Sequence, residues 1–179
     1  SITFEGQDML SKTKDEMIAF RGKEVAMIFQ NPMTCLNPVY TIGNQLVEAL
    51  KAHDKSVSKE DAEKHAMKML EEVGINNVEK RMKQYPHELS GGMKQRLSLA
   101  RAFLRHPKLF IFDEITANLD ENSRDFVLTN IENYAKSIGA GIMYISHDSC
   151  VVKRCEKIVT LNNKLRKNTT DDSKKQEVA

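Results

Sequence analysis

The chain is poor in the residues that most readily mark a special class of protein. There is no tryptophan, aromatics make up 6%, and there are four prolines and three cysteines in 179 residues. Cys35, Cys150 and Cys155 are irregularly placed, so neither a disulfide framework nor a thiolate metal site is expected, and a reducing cytosol suits them. No apolar run approaches the roughly 18 residues that a membrane span requires, and the opening residues do not read as a signal peptide. An excess of one charge is also lacking. The 27 Lys and Arg nearly balance 25 Asp and Glu, leaving a formal net charge of +2. Without a basic stripe or interleaved aromatics, no nucleic acid partner is expected. Internal repeats are absent too. The 40% of hydrophobic residues are compatible with one ordinary domain and a sizeable core.

Several elements can be read from the pattern. Ile2, Thr3 and Phe4 read as a strand before a turn at Gly6, and residues 9–20 as a helical or looping connection. Two prolines and an asparagine make residues 33–40 a loop, and a helical block follows from Thr41 to about Tyr85. Its clearest helix starts at Ser58, with Asp61 at the capping-box position. Ala62, Ala66, Met69, Leu70 and Val73 recur there at helical spacing, and Gly74 can close the end. Residues 120–138 form another amphipathic helix, with Phe126, Val127, Ile131, Tyr134, Ala135 and Ile138 on one face and Gly139 after it. Residues 158–161 read as the last strand, and residues 168–179 as a polar, disordered tail.

The most informative segment is Leu89-Ser90-Gly91-Gly92-Met93-Lys94-Gln95-Arg96. A Ser-Gly-Gly turn leads into a helical pattern over residues 93–104, which ends before Pro107. Ser90 can cap the helix, the glycines allow close backbone approach, and unpaired N–H groups and the helix dipole favour an anion. Further on, Leu109-Phe110-Ile111-Phe112 is closed by Asp113 and Glu114. The run reads as a buried parallel strand, with its carboxylates at the end where open α/β sheets place ligand chemistry.

LSGG followed by a basic helix resembles the signature motif of ATP-binding cassette (ABC) ATPases. The segments around it fall in that family's order. Phe29-Gln30-Asn31-Pro32 resembles the Q-loop, Asp113 and Glu114 the Walker B carboxylates, Ala117-Asn118-Leu119-Asp120 the D-loop, and Ile145-Ser146-His147-Asp148 the H-loop. The resemblance covers roughly residues 1–165. It implies an α/β fold with a P-loop NTPase (ABC-type) parallel sheet core, interrupted by a helical subdomain. Residues 1–40 and 86–165 correspond to a remnant of the ATPase core, 41–85 to the helical subdomain running into the signature loop, and 166–179 to the tail.

The resemblance also implies roles. ATP and Mg²⁺ are the expected cofactors, with Asp113 and Gln30 at the metal and Glu114 and His147 catalytic. Glu114 orients the attacking water and His147 contacts the γ-phosphate. Ser90, Gly91, Gly92 and Gln95 bind nucleotide together with Gln30 and Asp113, the signature loop acting on ATP held by the opposite subunit. Asn118 and Asp120 belong to the dimer interface. Two features depart from the family pattern: Ile115 follows Glu114 where proline is usual, and Asn118 replaces a smaller residue.

None of the chain's eight glycines opens a G-x-x-x-x-G-K-[ST] P-loop, the nest that cradles β- and γ-phosphates. The expectation is therefore a chain that begins after that loop and lacks the family's amino-terminal third. Such a chain bares apolar surface of the remaining sheet and leaves an unpaired edge. Residues 2–10, 20–23, 27–38 and 41–43 resemble the ATPases of oligopeptide, dipeptide and nickel importers. The implied partners are a second ABC ATPase subunit, transmembrane permease subunits and, indirectly, a substrate-binding protein. The implied location is cytoplasmic, on the inner membrane face. The alternative is a nucleotide-incompetent cassette that serves as a binding module through its signature loop. A non-transport ABC protein acting on DNA or ribosomes would need long heptads or basic arms, and neither is present.

Overall fold

The computed structural model describes residues 1–30, 36–52, 54–117 and 119–161. Cys35, the Asn31-Pro32 part of the Q-loop, Asn118 of the D-loop and the expected tail over residues 166–179 lie outside the described residues. The chain opens with an antiparallel hairpin, β1 (Thr3–Phe4) and β2 (Gln7–Asp8), turning at Glu5 and Gly6, both at positive φ. A 3₁₀ turn, Met9–Ser11, leads to α1 (Lys14–Phe20). A capping box holds the start of α1: Glu16 N–H donates to the Thr13 hydroxyl and Thr13 N–H to the Glu16 carboxylate.

The central sheet has the order β3-β4-β5, with β3 (Val25–Ile28), β4 (Leu109–Asp113) and β5 (Gly141–Ile145) all parallel. Between β3 and β4 lie α2 (Ile42–Lys51), α3 (Lys59–Glu72), α4 (Val78–Met82) and α5 (Gly91–Phe103). The first three fall within the expected helical block. Thr41 caps α2 and Ser58 caps α3. Asp61 accepts the Ser58 hydroxyl rather than completing a reciprocal box. Helix α6 (Glu121–Ile138) crosses from β4 to β5, capped by Asp120 at its start and closed by Gly139 in the left-handed region. The short α7 (Ser149–Val152) follows β5. Cys150 and Cys155 are free thiols.

One face of the sheet carries the core. Alternation along β4 places Phe110 and Phe112 on the same side, where both are fully buried with ring centroids 5.8 Å apart. Phe103 of α5 meets Phe110 edge-on at 5.4 Å, and Tyr134 of α6 stacks on Phe103 at 4.0 Å. These aromatic contacts fasten α5 and α6 to β4. The opposite face differs from the expectation of a strand buried on both sides. Met27, Met143 and Ile145 are 42, 51 and 47% exposed, because among the described residues no helix lies over them.

Two local readings are corrected. Residues 158–161 form no strand, and Ile158, Val159 and Leu161 are exposed. Their β-propensity finds no partner backbone, and an unpaired strand has no ladder to hold it. Phe126 does not join the buried face of α6; Leu128 is buried instead. The Phe126 ring lies under the Arg96 guanidinium, 4.6 Å from its centroid. Arg96 also donates to the Gly74 carbonyl at 2.9 Å. Gly74 ends α3 at φ +77°, and a Cβ there would stand 2.7 Å from the Phe126 ring. Both the conformation and the close approach therefore require glycine.

Candidate active site

The parallel register aligns the chemistry at one edge. Ile28, Phe112 and Tyr144 sit side by side across the sheet. Gln30, Glu114 and Ser146, each two residues further along, leave the three strands at the same level, with Asp113 paired to Ile145 just before them. The three loops thus meet at the carboxyl edge, where strand ends present side chains and unpaired backbone groups to a ligand.

Glu114 is the most constrained residue there. Its φ of +49° is left-handed, a conformation that costs a non-glycine residue about 1–3 kcal/mol. The backbone is held that way by the Glu114 N–H donating to the Ile145 carbonyl at 2.9 Å and by the Ala117 N–H returning to the Glu114 carbonyl. Buried Ile115 and Thr116 anchor the turn that follows. The side chain of Glu114 is thereby aimed at His147, whose Nδ1 lies 2.7 Å from Oε1. His147 is itself 89% exposed, whereas Glu114 is 23% exposed. With Glu114 accepting, Nδ1 carries the hydrogen and Nε2 is left for an outside ligand. The carboxylate and the imidazole have the right pairing for a general base and its orienting partner.

A cleft of about 320 Å³ opens beside this pair, lined by Glu114, Thr116, Ala117, Arg124, His147 and Asp148. Arg124, Thr116 and the Asp148 carboxylate had not been singled out from the sequence. Asp148 Oδ2 accepts from the Thr116 hydroxyl at 3.2 Å and lies 3.2 Å from Arg124 Nε, while Oδ1 caps α7 by accepting from the Cys150 N–H at 2.9 Å. The Cys150 N–H, then Arg124 and the Thr116 hydroxyl, hold Asp148 below its ordinary carboxylate value against the opposing effect of burial. One signal was available beforehand: Arg124 sits near the amino-terminal turn of α6, where a cation opposes the helix dipole and needs a compensating partner. Asp120 is placed as the α6 cap, accepting from the Ser123 N–H and hydroxyl at 2.9 and 2.6 Å.

The signature segment is built differently. Ser90 accepts from the Met93 N–H at the start of α5. Gly91 and Gly92 form the first helical positions, and an added Cβ at either would meet nothing within 4 Å. This bare helix start, with its unpaired N–H groups, suits an anion. Ser90, Gly91 and Gly92 do not line the Glu114 cleft. Gln95, expected at nucleotide, turns its side-chain amide to the Ile115 carbonyl and so joins α5 to the turn after Glu114. A larger cleft of about 540 Å³, lined by residues of α3, α5 and α6 such as His65, Met69, Phe103 and Tyr134, contains none of the expected site residues.

Among the described residues no cluster of three or more His, Cys, Asp or Glu could hold a metal by itself. The Asp113 carboxylate and the Gln30 amide oxygen nevertheless fit Mg²⁺, which takes one or two protein oxygens and completes its shell with water and substrate phosphate. No helix among the described residues is long and apolar enough to cross a membrane.

The sequence profile of the ABC transporter family matches residues 1–117. The oligopeptide transport ATP-binding protein OppD of Bacillus subtilis is 47% identical over 151 residues, covering 84% of this chain and 42% of that protein. OppD of Escherichia coli is 40% identical over 162 residues, covering 90% and 48%. The chain thus spans less than half the length of these relatives. In the fold comparison, a dimeric ATP-binding cassette in a post-hydrolysis state bound to ADP and Pi gives a TM-score of 0.73 at 22% identity, covering 83% of this chain and 62% of that one. The cassette cbiO1 of Clostridium perfringens, part of the transporter complex cbiONQ, gives 0.67 at 21%, covering 82% and 55%. These two likenesses concern the fold, an α/β cassette of P-loop NTPase type.

Proposed function

Because the chain belongs to the ABC transporter family, we propose that it forms part of the ATP-hydrolysing subunit of an oligopeptide importer. The observation that carries the catalytic reading is the Glu114–His147 pair at the strand edge, 2.7 Å apart beside Asp113. The oligopeptide assignment rests on the relatives' names and their 40–47% identity.

In this reading Glu114 orients and polarises the water that attacks the γ-phosphate. Its contact with His147 holds one carboxylate oxygen, leaving the other for that water. His147 turns Nε2 toward the phosphate and donates to it when the ring carries hydrogen on both nitrogens. Asp113 and Gln30 would hold Mg²⁺, which would offset charge on the phosphate oxygens. Ser90, Gly91 and Gly92 offer their bare helix start to nucleotide held by a second ABC subunit. The closed dimer then works on permease subunits, which receive peptide from a substrate-binding protein. These partners would keep the subunit on the cytoplasmic face of the membrane.

The experiment is ATP hydrolysis by the complete protein that contains this chain. Glu114→Gln should reduce turnover at least a hundredfold, as loss of a general base typically does, and should trap an ATP-bound dimer on a sizing column. Unchanged hydrolysis would remove Glu114 from the mechanism.

A further inference from the structure

The Arg124 guanidinium ties together two segments, the turn before α6 and the start of α7; its Nε meets Asp148 as an ion pair without a hydrogen bond. Nε faces Asp148 Oδ2 at 3.2 Å, Nη2 donates to the Leu119 carbonyl at 3.4 Å, and Nη1 reaches the Cys150 sulfur at 3.6 Å. Leu119 precedes the α6 cap, Asp148 follows His147, and Cys150 lies in α7. Asp148 in turn spends both carboxylate oxygens, on the Thr116 hydroxyl and the Cys150 N–H. Thr116 is two residues beyond Glu114. We infer that Arg124 and Asp148 are positioning residues, a strut that sets His147 against Glu114 from the α6 side.

Three features support this role over that of an incidental surface pair. Both side chains are mostly shielded, 25 and 19% exposed, so solvent and salt weaken the pair less than an exposed one. The planar fork of arginine fixes direction as well as charge, and here it links the segment before α6 to the one bearing His147. His147 itself is 89% exposed, with little packing of its own; its neighbour Asp148 is the tethered residue. A shift at Leu119 is therefore passed to the backbone beside His147. The strut acts through the Glu114–His147 pair, beside which it lines the same cleft. The inference rests on the ATPase reading only for its kinetic consequence.

The test compares Arg124→Gln, Asp148→Asn and the double variant in the complete protein, together with the His147 ring resonances by NMR. Each single variant should lower kcat about tenfold, the scale of a sub-ångström misplacement, with KM for ATP within about twofold. The double variant should lose no more than the worse single one, since both remove the same strut. The His147 ring signals should shift in each variant. Arg124→Lys, which keeps the charge and loses the fork, should recover only part of the rate; it also serves if Arg124→Gln does not fold. Additive losses in the double variant, or unmoved His147 signals in folded variants, overturn the strut. If the parent protein shows no ATP hydrolysis, the functional reading fails, while the His147 signals still decide the strut.

Discussion

The two ends of the candidate site are made in opposite ways. At the signature end, Ser90 needs only Met93, three residues along the chain, to start α5, and Gly91 and Gly92 stand open. At the Glu114–His147 corner every group depends on a distant one. Glu114 pairs with His147 across 33 positions, Thr116 with Asp148 across 32, and Arg124 with Cys150 across 26. The first is preformed by local stereochemistry and can receive a ligand without rearrangement. The second is assembled by the sheet register, and its imidazole and carboxylate already engage one another. An open helix start and an engaged carboxylate–imidazole pair therefore answer to different perturbations.

The largest contrast should come from His147→Ala. Removing a group that orients a general base lowers kcat about a hundredfold, measured as steady-state ATP turnover by the complete protein. Stability should change by less than about 0.5 kcal/mol, as for other surface positions, because the side chain is 89% exposed. A large fall in melting temperature would show that the corner is structural first and catalytic second.

Gly92→Ala should separate the two quantities in the other direction. Alanine is favoured over glycine in a helix by roughly 0.5–1 kcal/mol, and open space awaits the methyl group. Thermal unfolding of the chain should therefore shift upward by a few degrees. The same methyl group would stand on the surface offered to phosphate, and turnover should fall about tenfold. A destabilised variant would mean that this helix start is packed against something, contrary to the comparison.

Ser90→Ala should cost about 1 kcal/mol through loss of the cap, and Ser90→Asp should restore most of it. The aspartate variant carries negative charge where an anion is expected, so stability should return without activity. Recovery of turnover along with stability would show that the loop serves α5 alone.

The same local-versus-distant division decided what the sequence disclosed. Caps at Ser58 and Ser90 and the closing glycines Gly74 and Gly139 were readable, because each depends on neighbours within a few residues; the cap at Asp120 appears only in the structure. Strand β4 was readable as an apolar run closed by two acids. That Glu114 and His147 lie at one strand edge followed from motif order, but their direct contact and the left-handed φ of Glu114 did not, since both arise from pairing with β5. Arg124 belongs to no motif, and its partners Asp148 and Cys150 lie on another segment. Phe126 was misread because helical spacing alone does not distinguish the core from a cation to stack on. Residues 158–161 have the composition of a strand, but composition cannot supply the neighbouring backbone.

Acid should reveal the division at its smallest scale. Asp148 is held below its ordinary value, chiefly by the Cys150 N–H. Asp120 is held below its own by the Ser123 hydroxyl and then the Ser123 N–H. A carboxylate with a depressed folded value contributes stability that is fully present above the unfolded value, about 4. That contribution is lost as pH falls through the folded value. Lowering the pH from about 5 toward 2 should therefore release the Cys150 and Ser123 amides, seen as loss of hydrogen-exchange protection. The Met93 amide is held by the uncharged Ser90 hydroxyl and has no titrating acceptor to lose. Its protection relative to the other two should rise across that range. Parallel loss at all three sites would mean that acid unfolds the chain as one unit, and that the Glu114–His147 corner has no acid-labile stability of its own.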